Sequence, residues 1–310
     1  FNIHENVVMK REFMKLHLSI LISCFTGILG RVIKANEILL VWDRFLITCL
    51  FFMAILVFTK KFCIVHLKEF FKIAGLGALL AIHWILFYGS IKLSNVSVAL
   101  VSFSTLGLFT AILEPIINKK SFSYREFFYS MITMAGVALI FSFDLNHRIG
   151  IVWGVLSAGA ASLFTIFNKR VMVRHTSNTM LFYELLGGLI TTSLILPFYL
   201  KMAGIQTIIP TFHDLFYLFI LSLCCTVWLY KLEIQVLKKM SAFTVNLTYN
   251  LEPVYTIILA MLIFNEAKEL NFTFYIGMGL IVMSVILQMI AVKRESSREL
   301  AVVEVNQEGL

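Results

Sequence analysis

The feature that most confines this chain is a succession of apolar runs, each about as long as a bilayer is thick. They fall at 16–34, 38–59, 70–92, 95–117 and 125–143, then at 149–171, 178–202, 214–237, 241–264 and 271–292. About 20 helical residues rising 1.5 Å each cross the roughly 30 Å hydrocarbon core. With 59% hydrophobic and only 14% charged residues over 310 positions, and a mean hydropathy of +0.88, the chain carries more apolar surface than a soluble core could hide. The reading is an all-α membrane protein of ten transmembrane helices. Short polar breaks such as Lys60-Lys61 and Lys119-Lys120-Ser121 separate the runs, and the longest hydrophilic stretch is the tail from Glu295 to Leu310, which excludes a soluble catalytic domain.

Charge then sets the orientation. The formal net charge of +8 sits in short loops rather than in one basic face, which reads as topology and not as a nucleic-acid surface. Eighteen Lys and Arg fall on one side of the ten runs and six on the other, placing both termini in the cytoplasm of a cell whose inner, or plasma, membrane holds the chain. Of the five cysteines, only Cys63 lies outside an apolar run, so no extracellular disulfide framework is expected. The sequence opens on Phe1, which points to Met9 or Met14 as the start, and the first run lacks a small-residue cleavage site, so it is expected to remain as a helix.

The two sets of five runs also resemble each other. A shift of 146 residues, without a gap, lays Lys92 on Lys238, Ser102-Phe103-Ser104 on Thr248-Tyr249-Asn250, and Thr110-Ala111-Ile112-Leu113 on Thr256-Ile257-Ile258-Leu259. Five crossings per half is an odd number, so the halves enter the membrane with opposite orientation. The expected organisation is a cytoplasmic segment 1–15, a first repeat 16–143, a second repeat 149–293 and a cytoplasmic tail 294–310. Two inverted five-helix repeats enclosing a site near the midplane are an alternating-access architecture.

Within the ninth run, Ser241 to Phe264, Glu252 and Pro253 fall in the middle of apolar sequence. Proline removes a backbone donor and bends the helix, and a carboxylate at that depth costs about 2.5 to 3.5 kcal/mol. Both need protein neighbours, either a polar cavity or a kink with a hydrogen-bonded Glu. Counting depth along each run brings His83, Trp84, Ser104, Thr105, Trp228, Asn250 and Glu252 near the middle, and these are the candidate substrate-binding residues. For Trp84 and Trp228 the alternative is packing with the indole donor satisfied, and for His83 it is a hydrogen-bonded core residue rather than a proton carrier. Arg44, Glu184 and Lys231 are intramembrane charges read as anchoring or gating groups. Arg44 and Glu184 lie at opposite depths, so a direct ion pair is not expected. Arg44 is expected to reach outward or to pair near Glu37, and Lys231 to reach cytoplasmic headgroups. The glycines at 27 and 30, 75 and 77, 187 and 188, and 277 and 279 are expected to let helices approach closely.

The segment Lys239 to Thr256, with Leu251-Glu252-Pro253, followed by Asn265-Glu266 and Gly277-Met278-Gly279, resembles the EamA-type repeat of the drug/metabolite transporter superfamily. The first half is similar through His83-Trp84, Ile91-Lys92-Leu93, Ser104 to Thr110 and Gly136-Val137, but it carries Leu106-Gly107 where the second half has Glu252-Pro253, and Lys120 where the second has Glu266. Gly107 and Pro253 are thereby paired as gating or structural positions. The resemblance implies a carrier of a small organic metabolite, such as an amino acid or related compound, moved outward. The alternative is a non-transporting sensor or assembly component that keeps the fold.

No phosphate-binding loop, His-Glu-x-x-His or metal-ligand cluster is present in the sequence. Neither an enzyme, a cofactor nor a metal is expected, and energy would come from a proton, by way of Glu252, or from an exchange substrate. The expected partners are the lipid bilayer and a small molecule, for a monomer or a homodimer.

Overall fold

The computed structural model describes residues 2–119, 121–143, 146–205, 208–249, 251–265, 272–287 and 290, and every regular element among them is helical. The first half comprises α1 (Asn2–Val32), α2 (Glu37–Phe58), α3 (Leu67–Leu93), α4 (Val96–Phe103), α5 (Leu106–Asn118) and α6 (Tyr124–Phe143). The second comprises α7 (Arg148–Val171), extended by one 3₁₀ turn, α8 (Ser177–Ala203), α9 (Phe212–Ser222), a π segment (Leu223–Trp228), α10 (Leu229–Leu237), α11 (Ala242–Tyr249), α12 (Glu252–Phe264) and α13 (Phe272–Leu287).

Seven segments are by themselves long and apolar enough to cross a membrane, and α12 and α13 supply shorter apolar rods among the described residues. The expected runs are not all continuous helices. The fourth run is not one helix: it breaks at Ser104 and Thr105 into α4 and α5. The ninth breaks into α11 and α12 just before Pro253.

The 146-residue shift carries this irregularity from one half to the other. Val96–Phe103 maps onto Ala242–Tyr249 and Leu106–Asn118 onto Glu252–Phe264, end for end. At the start, the Asn95 side chain accepts from Val98 N at 2.9 Å, and at the equivalent place the Ser241 hydroxyl accepts from Thr244 N at 2.9 Å. Such caps satisfy helix-end donors that have no partner within the helix. At the far end Lys119 and Asn265 stop α5 and α12 in the same left-handed conformation, with φ of 52° and 60°.

Equivalent helices pack antiparallel. The first part of the fourth run (α4) lies on the second part of the ninth (α12), and α5 lies on α11. In α2 and α8, Asn36 bonds Tyr199 and Trp42 bonds Ser193, so sequence number rises along one helix as it falls along the other. Between α6 and α13, Thr133 bonds Ser284 while Gly136 meets the Gly277 carbonyl.

Small residues set the closest approaches. A Cβ on Gly77 would sit 2.0 Å from the Glu184 carbonyl oxygen, and one on Gly187 would sit 2.3 Å from that of Ala74, so α3 and α8 meet backbone to backbone. Gly75 and Gly279 have open space instead. The main core gathers fully buried residues from α1, α2, α3, α7, α8 and α10, and a smaller one joins α4, α6, α12 and α13 through Val98, Ile140, Ile257 and Ile281.

Candidate functional site

Where the two interrupted helices cross, the chain leaves a cavity of about 70 Å³. Its wall comes from both halves: Ser23 of α1, His83 of α3, Phe103 and Leu106 at the α4–α5 break, Phe164 and Thr165 of α7, Tyr230 and Glu233 of α10, Asn246 and Tyr249 of α11, and Glu252 of α12. A water needs roughly 10–15 Å³ by this measure, so the space holds about five water-sized groups.

The breaks explain why polar groups gather here. At the first, Ser104 and Thr105 turn their hydroxyls back onto the carbonyls of Leu100 and Ser102, at 3.2 and 2.9 Å, in competition with the helix ladder. At the second, Pro253 has no N–H to donate. Helix α12 therefore starts afresh and presents Glu252 in its first turn, where the positive end of the helix favours a carboxylate. Glu252 is 4% exposed, and its Oε1 accepts from Ser23 Oγ at 2.7 Å.

The remaining wall groups are held by the helices behind them. Tyr249 OH donates to Ser19 Oγ at 3.0 Å, and Asn246 Nδ2 donates to Thr110 Oγ1 at 2.9 Å. His83 stacks on Phe103 at 5.2 Å between ring centres, and its Nδ1 lies 2.8 Å from Ser157 Oγ. Glu233 lies within electrostatic reach of both Glu252 and Glu184.

Behind the aromatic wall lies a buried cation. Trp84 Nε1 donates to Tyr230 OH at 2.9 Å, and the Arg44 guanidinium carbon sits 3.7 Å above the Trp84 ring. Arg44 does not reach outward or pair near Glu37, as its position suggested. It is 0% exposed and donates to Thr226 Oγ1 at 2.8 Å, Tyr88 OH at 2.7 Å and the Cys225 carbonyl at 2.9 Å. The carbonyl comes from the π segment, a wide turn of the kind that interrupts helices at functional sites.

Of the candidate residues, His83 and Glu252 line the cavity and Trp84 stands one layer behind it. Ser104 and Thr105 are buried at the break, and Gly107 is buried in the first turn of α5. Pro253 lies in the first turn of α12, and Asn250 falls outside the described residues. Trp228 does not join them: it is 57% exposed on the outer surface, about 200° around the helix from Tyr230. Lys231 is half-buried in α10 and is not part of the wall. Glu184 is fully buried, 2.7 Å from Asn168 Nδ2, and its Oε2 has no hydrogen-bond partner among the described residues.

Depth alone missed Ser23, Tyr230, Glu233, Asn246 and Tyr249. For four of them the signal is angular: Tyr230 with Glu233 on α10, and Asn246 with Tyr249 on α11, stand at three-residue spacing and share a helix face.

A family model for EamA-like transporters matches residues 14–142 and again 148–290. The chain belongs to the EamA-like transporter family. It is a multi-pass membrane protein of the drug/metabolite transporter superfamily, in a family of transporters rather than enzymes, and its setting is a lipid bilayer with a small molecule as substrate. No curated protein matches it. Among solved structures, 29 chains match. One, described as "Crystal structure of protein", superposes with a TM-score of 0.65 at 15% identity, covering 92% of this chain and 99% of that one. At that identity the likeness speaks for the fold alone.

Proposed function

We propose that this EamA-like protein is a secondary transporter that moves a small organic metabolite by alternating access around the cavity at the crossed breaks. The observation that carries the reading is that the wall is built jointly by equivalent, antiparallel, interrupted helices of the two halves. Rocking one half against the other would open such a site first to one face and then to the other.

In this reading ten helices cross the bilayer as two inverted repeats, 16–143 and 149–293, flanked by cytoplasmic segments 1–15 and 294–310. The bias of Lys and Arg supports both termini in the cytoplasm at the inner membrane, and transport is proposed to run outward. Without a nucleotide-binding motif in the sequence, energy comes from a gradient or from exchange, and Glu252 is the group proposed to carry a coupling proton.

Flux of a metabolite panel into and out of proteoliposomes tests the proposal. Saturable movement of at least one solute is expected, with Glu252→Gln abolishing any pH-driven component. Absence of saturable flux for the whole panel, with a specific protein partner recovered from the native membrane, would replace the transporter by a sensor or assembly component.

A further inference from the structure

The hydrogen-bonding state of the cavity wall restricts what can occupy it. Most donors in the wall are already spent within the protein. The Ser23 hydroxyl goes to Glu252, Thr165 Oγ1 to the Ala161 carbonyl, Tyr249 OH to Ser19, and one hydrogen of the Asn246 amide to Thr110. Tyr230 OH, which accepts from Trp84, keeps its own hydrogen for a single acceptor.

Beyond that hydroxyl and the second amide hydrogen of Asn246, what is left over is acceptor. Glu252 keeps its second oxygen, Glu233 keeps its whole carboxylate, and Asn246, which is 2% exposed, keeps its Oδ1. Ser157 donates to the His83 carbonyl at 3.0 Å, so its oxygen receives the Nδ1 hydrogen of His83, and a neutral ring then has Nε2 as a further acceptor.

Among the described residues, no Lys or Arg belongs to the wall. Arg44 is the nearest candidate for a counter-charge, but its guanidinium is committed to Thr226, Tyr88 and Cys225 behind the Trp84 ring. Two acidic side chains therefore face one small space whose other walls are the rings of Phe103, Phe164, Tyr230 and Tyr249. Aromatic faces attract a cation as well as apolar carbon.

We infer that the cavity takes a small aliphatic amine, one or two ammonium groups on a short carbon chain with no carboxylate of its own. Ammonium donates three hydrogen bonds and accepts none, which matches a wall of acceptors, and the rings accommodate the methylenes. A carboxylate on the ligand would face Glu233 and Glu252 with no wall cation to offset them, and only the Tyr230 hydroxyl and one Asn246 hydrogen to receive it. This rests on the transport reading of the site and names the substrate class within it.

Four compounds on one skeleton test it: n-butylamine, 1,4-diaminobutane, 4-aminobutyrate and 1-butanol, titrated calorimetrically into the full chain in detergent. Saturable binding of both amines is expected, with 4-aminobutyrate at least tenfold weaker and butanol silent. Glu233→Gln and Glu252→Gln, which keep an acceptor but remove the charge, should each weaken diaminobutane by about tenfold, as expected for turning a charge-assisted hydrogen bond into a neutral one. Leu194→Ala, on the outer surface, should leave it unchanged. Equal binding of 4-aminobutyrate or butanol, or wild-type affinity in Glu233→Gln, overturns the inference. If the Gln variants fail to purify, the ligand ranking on the natural chain decides alone. Proteoliposome flux separates the two proposals. Saturable flux of a neutral or anionic solute that the amines do not inhibit sinks the amine site and leaves transport standing. Amine binding without flux of any solute does the reverse.

Discussion

Gly75 and Gly77 stand two residues apart in α3, and the fold makes opposite demands on them. A Cβ at Gly77 would lie 2.0 Å from the Glu184 carbonyl oxygen and 2.6 Å from Gly188 N, both backbone atoms of α8, whereas one at Gly75 would meet nothing within 4 Å. To bring the Gly77 contact out to a tolerable 3.0 Å, α3 and α8 must part by about 1 Å. A gap of that size forfeits a quarter to a half of each dispersion contact along the seam, and overpacking of this kind costs about 1–3 kcal/mol. At Gly75 the alanine methyl is free, and replacing glycine inside a helix gains about 0.5–1 kcal/mol. That gain applies to both glycines of α3, so Gly75→Ala and Gly77→Ala should differ by the overpacking cost, about 1–3 kcal/mol, in denaturant unfolding of the detergent-solubilised protein, with Gly77→Ala the weaker. Gly187→Ala, which strikes Ala74 from the other side, should add little once Gly77→Ala has opened the seam, because both act on one interface. If Gly77→Ala proves as stable as Gly75→Ala, the backbone-to-backbone packing of α3 on α8 is refuted.

Other expectations follow from single contacts. Asn95→Ala and Ser241→Ala remove repeat-equivalent caps, and each should lower unfolding stability by about 1 kcal/mol; a loss in one half only would argue against the equivalence. Trp84→Phe keeps a ring beneath Arg44 but deletes the donor to Tyr230, so thermal stability should fall by about 1–2 kcal/mol, and an unchanged melting temperature would count against that bond. Glu184→Gln retains the acceptor for Asn168 Nδ2, while Glu184→Ala leaves that buried donor unpaired. The Ala variant should be the less stable by about 1–3 kcal/mol in chemical unfolding, and equal stability would remove Glu184 from its assigned place.

The helical architecture could be read from the chain because apolar length and repeat spacing are properties of sequence alone. The ungapped shift also lays Asn95 on Ser241, and the structure makes both of them caps. The break at Ser104 and Thr105 gave no such warning. It contains no proline, and its hydroxyls hold the turn by bonding their own backbone, as many serines and threonines do inside unbroken helices. Depth along a run located Glu252 and His83 but could not separate Trp228 from Tyr230, since position along an axis says nothing about angle around it. Arg44 illustrates a different limit. A lone arginine in an apolar run suggests snorkelling, and only tertiary structure shows Thr226, Tyr88, a π-turn carbonyl and the Trp84 face assembled around it.

The crossing of α4–α5 over α11–α12 is symmetric in backbone but not in chemistry, because Leu106 and Gly107 stand where the other half has Glu252 and Pro253. In the proposed cycle, exchanging the roles of the halves returns nearly the same scaffold with its acid carried on the opposite side. The two end states of such a carrier cannot be equal in energy, so the unmatched Glu and Pro tilt its resting preference toward one face even before any gradient is applied.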